Sequence, residues 1–232
     1  MNETGRQARA LYRSRPAATR LHVAGRWVSC PFPEAAEAIP RSGRILEVGC
    51  GHGLFSCYLA LESREREVHG VDLDADKIVD AQAAAEQARR DGATVSFAVA
   101  PSGAVPEGPW DAITIIDVLY LLPHDEQRAL IRECVARLAP GGVLVLKEVG
   151  FEPRWKYRWN LTQETLAVKV LHITEGHDMA FLSPEQLAAT MRDAGLQVTT
   201  NHRVDRRRPH PHHLVVGRAP STAAPGDPAT PG

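Results

Sequence analysis

The 232-residue chain predicts an α/β fold: a doubly wound, seven-stranded, mostly parallel sheet with an antiparallel C-terminal hairpin. Three observations carry that prediction. Strand-like apolar runs alternate with helix-period segments from Arg44 to Val149. A glycine-rich turn joins the first of those runs to the helix that follows it. Two β-rich runs, Leu196 to Val204 and His212 to Gly217, then read as a hairpin around a basic tip at residues 206–211.

Residues 1–30 form an N-terminal arm. Met1 to Arg20 is polar and Arg-rich, with Leu11 and Tyr12 as isolated apolar points, which reads as a frayed segment. Leu21, Val23, Trp27 and Val28 give the next stretch side chains to bury, and Pro31, Pro33 and Pro40 bracket a short helix ending near Ile39. Residues 31–219 make the domain. Its first strand is Ile45, Leu46 and Val48, followed by Gly49, Gly51 and Gly53 at alternate positions. Leu54, Phe55, Tyr58, Leu59 and Leu61 then recur at helical spacing. Glycine admits positive φ and close backbone approach, and a helix start offers free N–H groups, so this stretch makes a ligand seat at the carboxyl edge of a parallel sheet. A tight βα turn also needs glycine for structural reasons alone.

The second strand, Glu67 to Leu73, ends in Asp72. Asp72 lies about 20 residues beyond the turn, where a carboxylate reaches the two hydroxyls of a ribose. Asp74 is the better placed cap for the next helix, which runs to about Arg90 and stops at Gly92. Thr94 to Ala100 is the third strand and Asp111 to Asp117 the fourth. A helix from about Pro123 to Ala139 is ended by Pro140-Gly141-Gly142, and Val143 to Val149 is the fifth strand. Residues 150–182 are an insertion holding Trp155, Tyr157, Trp159, His172 and His177. Ser183-Pro184-Glu185-Gln186 starts the last crossover helix with a capping box, and Gly195 stops it. Residues 220–232 are Pro/Ala/Gly-rich with the single charge Asp227 and are expected to be disordered.

The bulk numbers exclude whole classes of function. Lys plus Arg total 27 and Asp plus Glu 28, so no global basic field exists to hold a nucleic-acid backbone. The four cysteines, Cys30, Cys50, Cys57 and Cys134, form no metal-type spacing, which suits a reducing compartment. No apolar run approaches about 18 residues and the N-terminus has no hydrophobic signal region, so a cytoplasmic protein without a membrane span is expected.

The glycine turn separates two cofactor readings. A dinucleotide site wants G-x-G-x-x-G/A, which would put Gly or Ala at Leu54. Instead Glu47-Val48-Gly49-Cys50-Gly51-His52-Gly53 resembles the first motif, [DE]-x-G-x-G-x-G, of the class I S-adenosylmethionine-dependent methyltransferases. Trp110-Asp111 and Leu138-Ala139-Pro140-Gly141-Gly142 resemble two later motifs of that family in the correct order. The resemblance covers roughly residues 40–150. It implies S-adenosyl-L-methionine as methyl donor, with Glu47, Gly49, Cys50, Gly51 and Gly53 at its methionine part and Asp72, with Leu73 beside it, at the ribose. The acidic adenine contact of the family is replaced by Ala100-Pro101-Ser102-Gly103, which leaves Ser102 or a backbone group for that role. Asp117 and Val118 would face the junction of donor and acceptor. The N-terminal arm would then act as a lid.

The acceptor is constrained less tightly. Strand four ends in Asp117-Val118-Leu119-Tyr120, unlike the [ND]-P-P-[FYW] of relatives that methylate nucleobases or glutamine. A small apolar metabolite of secondary or lipid metabolism, methylated on oxygen or carbon, is expected. Tyr120, Trp155 and Trp159 would line its pocket, and His177, His172 and Glu148 are candidates for the proton-accepting group. Lys147-Glu148 replaces the acidic/amide pair of metal-dependent relatives, so no metal is expected. A catalytically silent donor-binding protein and a nicotinamide-dependent oxidoreductase are the alternatives, and a homo-oligomer is left open.

Overall fold

The computed structural model describes residues 1–149, 180–204 and 212–221. Three helices precede the sheet: α1 (Glu3–Ala10), α2 (Ala17–Ser29) and α3 (Phe32–Ala36). The alternating body follows as β1 (Gly43–Val48), α4 (Leu54–Glu62), β2 (Arg66–Asp72), α5 (Ala75–Arg90), β3 (Thr94–Val99), β4 (Trp110–Ile116), α6 (His124–Ala136) and β5 (Leu138–Val149). After residues 150–179 come α7 (Pro184–Asp193), β6 (Gln197–Arg203) and β7 (His212–Arg218). The seven strands lie in the order β3-β2-β1-β4-β5-β7-β6. β7 alone runs against its neighbours, as the predicted hairpin requires.

One apolar cluster fills each face of the sheet. Ile45, Val68, Val95 and Val145 point to the side covered by α4, α5 and the N-terminal helices. Leu46, Ile113, Leu144 and Leu146 point to the side covered by α6 and α7. Alternate strand residues therefore serve opposite layers, which buries both faces and leaves the carboxyl edge open for a ligand. Asp74 caps α5, accepting from Asp76 N and Lys77 N, and the Ser183–Gln186 box starts α7. Among the described residues no helix is long and apolar enough to cross a membrane.

Three expectations need correction. First, the arm is packed rather than frayed, with helices at Glu3–Ala10 and Ala17–Ser29. Asn2 caps α1 through a bond from Gly5 N at 2.8 Å, and Ala8, Leu11 and Tyr12 are buried. A Cβ on Gly5 would stand 2.1 Å from the Trp27 ring, so α1 and α2 meet through a missing side chain that no hydrophobic stripe reveals. Second, Val23 and Trp27 are buried as expected, but Leu21 is 76% and Val28 65% exposed. Third, α6 stops at Ala136 and β5 already begins at Leu138, which pairs with Trp110. The Arg137 carbonyl accepts from Trp110 N at 2.9 Å, and the register shifts between Trp110 and Ala112. Gly141 (φ 75) lies in this irregular stretch, so Pro140-Gly141-Gly142 sits inside a strand instead of ending a helix.

Candidate functional site

The glycine turn is built where β1 passes into α4. Gly49 N and Cys50 N both donate to the Val71 carbonyl, at 2.8 and 3.0 Å, which ties the turn to the end of β2. Gly49, Gly51 and Gly53 all have positive φ, at 75°, 53° and 76°. Their surroundings differ. A Cβ on Gly49 would lie 2.4 Å from Val118, and one on Gly53 would lie 2.5 Å from Phe97. Those two glycines serve close packing. A Cβ on Gly51 would meet only Lys77 Cδ, at 4.0 Å, so of the three Gly51 alone faces open space.

That space is a crevice of two cavities, about 330 and 390 Å³, which share Gly49, Asp72, Lys77, Val118 and Leu121. The first adds Glu47, Cys50, Gly51, Asp117 and Tyr120, with His22 and Arg26 of α2 on its outer side. The second adds Leu73, Ser102 and Gly103. The crevice thus gathers most of the site residues that the sequence predicts. Neither Gly53 nor Glu148 lines it, and His172, His177, Trp155 and Trp159 lie outside the described residues.

Asp72 sits at the middle. Its Oδ2 accepts from Gly51 N at 2.7 Å and its Oδ1 from Asp74 N at 3.0 Å, so the carboxylate is fixed in place from both sides. Each carboxylate oxygen can accept more than one bond, which leaves capacity for ligand hydroxyls. Glu148 sits behind Val118, one carboxylate oxygen accepting from Leu119 N at 3.0 Å and Val118 N at 3.3 Å. Burial, then the nearby Asp117 carboxylate, push its carboxyl above the usual range. It shapes the bend after β4.

Helices α1 and α2, which the sequence pattern does not disclose, complete the crevice. Tyr12 donates to the His52 carbonyl at 2.6 Å, and Thr19 donates to Asp80 of α5 at 2.7 Å beside an Arg15–Asp80 ion pair. Arg26 reaches Asp117 at 2.8 Å, and Asp117 also holds the fully buried Lys147 at 2.5 Å. His212 of β7 meets the Ser29 carbonyl at 2.6 Å. Residues 1–30 are therefore fastened over the glycine turn at several points. The signal for this is present as Arg-rich spacing, but the carboxylate partners are distant in sequence.

Glu47 is buried behind the turn and accepts from Ser56 Oγ at 2.5 Å. Burial outweighs that bond and pushes its carboxyl from 4.5 up to about 7. A raised folded value means the native state holds the proton more tightly, so stability is fully present below 4.5 and declines as pH rises through about 7. Glu47→Gln is expected to remove that decline, which is on the order of 3 kcal/mol across the interval. Thermal melts across the interval should show a slope in the parent and a flatter profile in the variant. Parallel profiles would assign the slope to other groups.

Comparisons with known proteins bear on the family and the fold. Residues 22–201 match the family described as "Methyltransferase domain". The ubiquinone biosynthesis O-methyltransferase of Xanthomonas axonopodis pv. citri is 30% identical over 170 residues, covering 71% of this chain and 66% of the relative. The enzyme of the same name from Psychrobacter arcticus is 30% identical over 173 residues, covering 73% and 65%. The match thus spans just under two thirds of the length of these curated relatives. Among solved structures, an O-methyltransferase family protein from Burkholderia thailandensis superposes with a TM-score of 0.69 at 18% identity, covering 92% of this chain and 63% of that one. The magnesium protoporphyrin IX methyltransferase of Synechocystis, with bound SAH, gives 0.64 at 17% identity and covers 94% and 95%.

Proposed function

The chain belongs to the class I S-adenosylmethionine-dependent methyltransferases, and from that premise we propose that it methylates an oxygen of a small, apolar, lipid-type acceptor. The observation that carries this reading is the open cradle at Gly51 beside the fixed carboxylate of Asp72, in one crevice with Tyr120. These residues fit the donor: a Cβ-free backbone for its methionine part, a carboxylate for two ribose hydroxyls, and the Leu73–Ser102 side for its base. When bound, S-adenosyl-L-methionine supplies a methyl group on a positively charged sulfur, open to in-line attack. The chain's own part is to seat that group, exclude water and align the acceptor. Arg26 and Lys77 line the same crevice, each already paired, Arg26 with Asp117 at 2.8 Å and Lys77 with Asp74 at 3.1 Å, so a ligand carboxylate would have to share them.

The acceptor side of this reading draws on the residues flanking 150–179. β5 ends at Val149, and beyond that segment the Ala180 N–H donates to the Tyr120 carbonyl at 3.0 Å. Phe181 stacks on Tyr120 with ring centres 5.0 Å apart. The Ala180–Phe181 flank of the segment thus meets Tyr120 of the crevice, which favours Trp155 and Trp159 as pocket residues and His177 or His172 as the group accepting a proton. The relatives' printed names favour oxygen over carbon as the methylated atom.

The test has two stages. Calorimetry should show binding of S-adenosyl-L-methionine and no binding of a nicotinamide dinucleotide. Labelled-methyl transfer should then be measured over phenols, dihydroxybenzenes, carboxylates and amines carrying apolar tails. Label is expected in the phenolic ethers. Donor binding with no label in any acceptor would replace this reading with a silent donor-binding protein.

A further inference from the structure

α2 is apolar on two sides. Thr19, Val23 and Trp27 are buried against the domain. On the opposite side Leu21 and Val28 are 76% and 65% exposed, with exposed Ala17 one turn before Leu21. Positions 17, 21 and 28 share one stripe of a helix. Beside it an open cleft of about 580 Å³ runs between α1 and α2, walled by Arg6, Arg9, Arg13 and Arg20 and reached by Met1, which is 60% exposed.

The charge on this face is one-sided. Glu3, paired with Arg6, is the sole acidic residue before Glu34. Arg15 and Arg26 turn inward onto Asp80 and Asp117, which leaves the other four arginines along the cleft. A whole-chain net charge of −1 conceals this local excess.

We propose that the α1–α2 face docks on an anionic lipid bilayer. Arginines at such a surface are drawn to anionic headgroups, and a stripe of exposed apolar side chains beside them enters the boundary below. A nucleic acid would satisfy the arginines but leave Leu21, Val28 and Met1 without a role. The inner side of the same helix carries Arg26 into the candidate crevice, so the docked face lies one helix away from the site. An acceptor dissolved in lipid would then meet the crevice without crossing water. That last link rests on the proposed function, whereas the docking rests on residues 1–30 alone and is tested without any acceptor.

The full chain should be floated with vesicles of phosphatidylcholine alone and with about one-third phosphatidylglycerol. Binding is expected only to the anionic vesicles, and it should weaken as salt shortens the screening length to about 10 Å at 0.1 M and less beyond. The exposed pair Arg13→Glu/Arg20→Glu should lower partitioning at least about tenfold, and Leu21→Ser several-fold, with unchanged circular dichroism. Equal binding to both vesicles, binding to neither, or full binding by the charge-reversed pair would overturn the proposal. So would RNA binding without vesicle binding, or a dimer in light scattering that Leu21→Ser dissolves while vesicles remain unbound.

Discussion

Asp117→Ala is expected to be the most damaging single substitution to the fold, lowering unfolding free energy by about 3–5 kcal/mol. Asp117 is buried at the end of β4 and holds Lys147, which is 0% exposed, at 2.5 Å. Burial alone would raise the Asp117 carboxyl, but Lys147 and then Arg26 more than reverse this and hold it well below the usual carboxylate range. A depressed carboxyl contributes stability above its unfolded value of 3.8, and that stability is lost as pH falls below it. Removing the carboxylate strands the ammonium of Lys147 in an apolar layer, which costs more than the lost attraction. Urea denaturation measures the loss. The double variant Asp117→Ala/Lys147→Met should recover part of it, because the fully buried ammonium is then gone and Arg26, which also loses its partner, is 32% exposed to solvent. Arg26→Ala should cost far less, since that side chain is 32% exposed and solvent screens it. A loss below about 1 kcal/mol in Asp117→Ala would show that water reaches Lys147.

The second large effect is on donor affinity. Gly51→Val should reduce it at least about a hundredfold, a loss of roughly 2.7 kcal/mol. The new side chain would stand in the crevice at a backbone φ of 53°. Asp72→Ala should cost at least about tenfold, because each hydrogen bond to a charged group contributes about 1.5–3 kcal/mol. It also frees Gly51 N, whose partner at 2.7 Å is Asp72. Gly53→Ala separates binding from folding: its Cβ would press on Phe97 and Ala81, so it should lower the melting temperature first. Calorimetry paired with thermal melts distinguishes the three. Unchanged affinity in folded Asp72→Ala would remove Asp72 from the donor seat.

How much a sequence discloses depends on how local each signal is. The turn from Glu47 to Gly53, the position of Asp72, the Asp74 cap and the Ser183–Gln186 box are encoded within a few residues, and they stand where expected. The start of β5 escapes such a reading because Pro140-Gly141-Gly142 breaks a helix in isolation, while here pairing of Leu138 with Trp110 carries the strand back through it. The N-terminal helices escape it because their anchors are polar and remote: Tyr12 to His52, Arg15 to Asp80 and Arg26 to Asp117. The contribution of Arg26 to the crevice is therefore invisible to periodicity. Glu148 is legible as a carboxylate near the site, but only coordinates show it turned onto the backbone of Val118 and Leu119.

The strand order has a bearing on biosynthesis. β7, the last of the seven strands to leave the ribosome, is an interior strand held between β5 and β6. Until His212–Arg218 is synthesised, the edge of β5 that carries Leu144 and Leu146 has no partner, and Ser29 lacks its contact with His212 across 183 positions. At roughly 5–20 residues per second that edge stays open on the order of several seconds. A nascent chain of this kind displays an unpaired β-edge throughout that time, the feature that templates pairing with other chains. For the same interval the α2 wall of the candidate crevice lacks its anchor on β7, so the crevice takes its final shape only once β7 is in place.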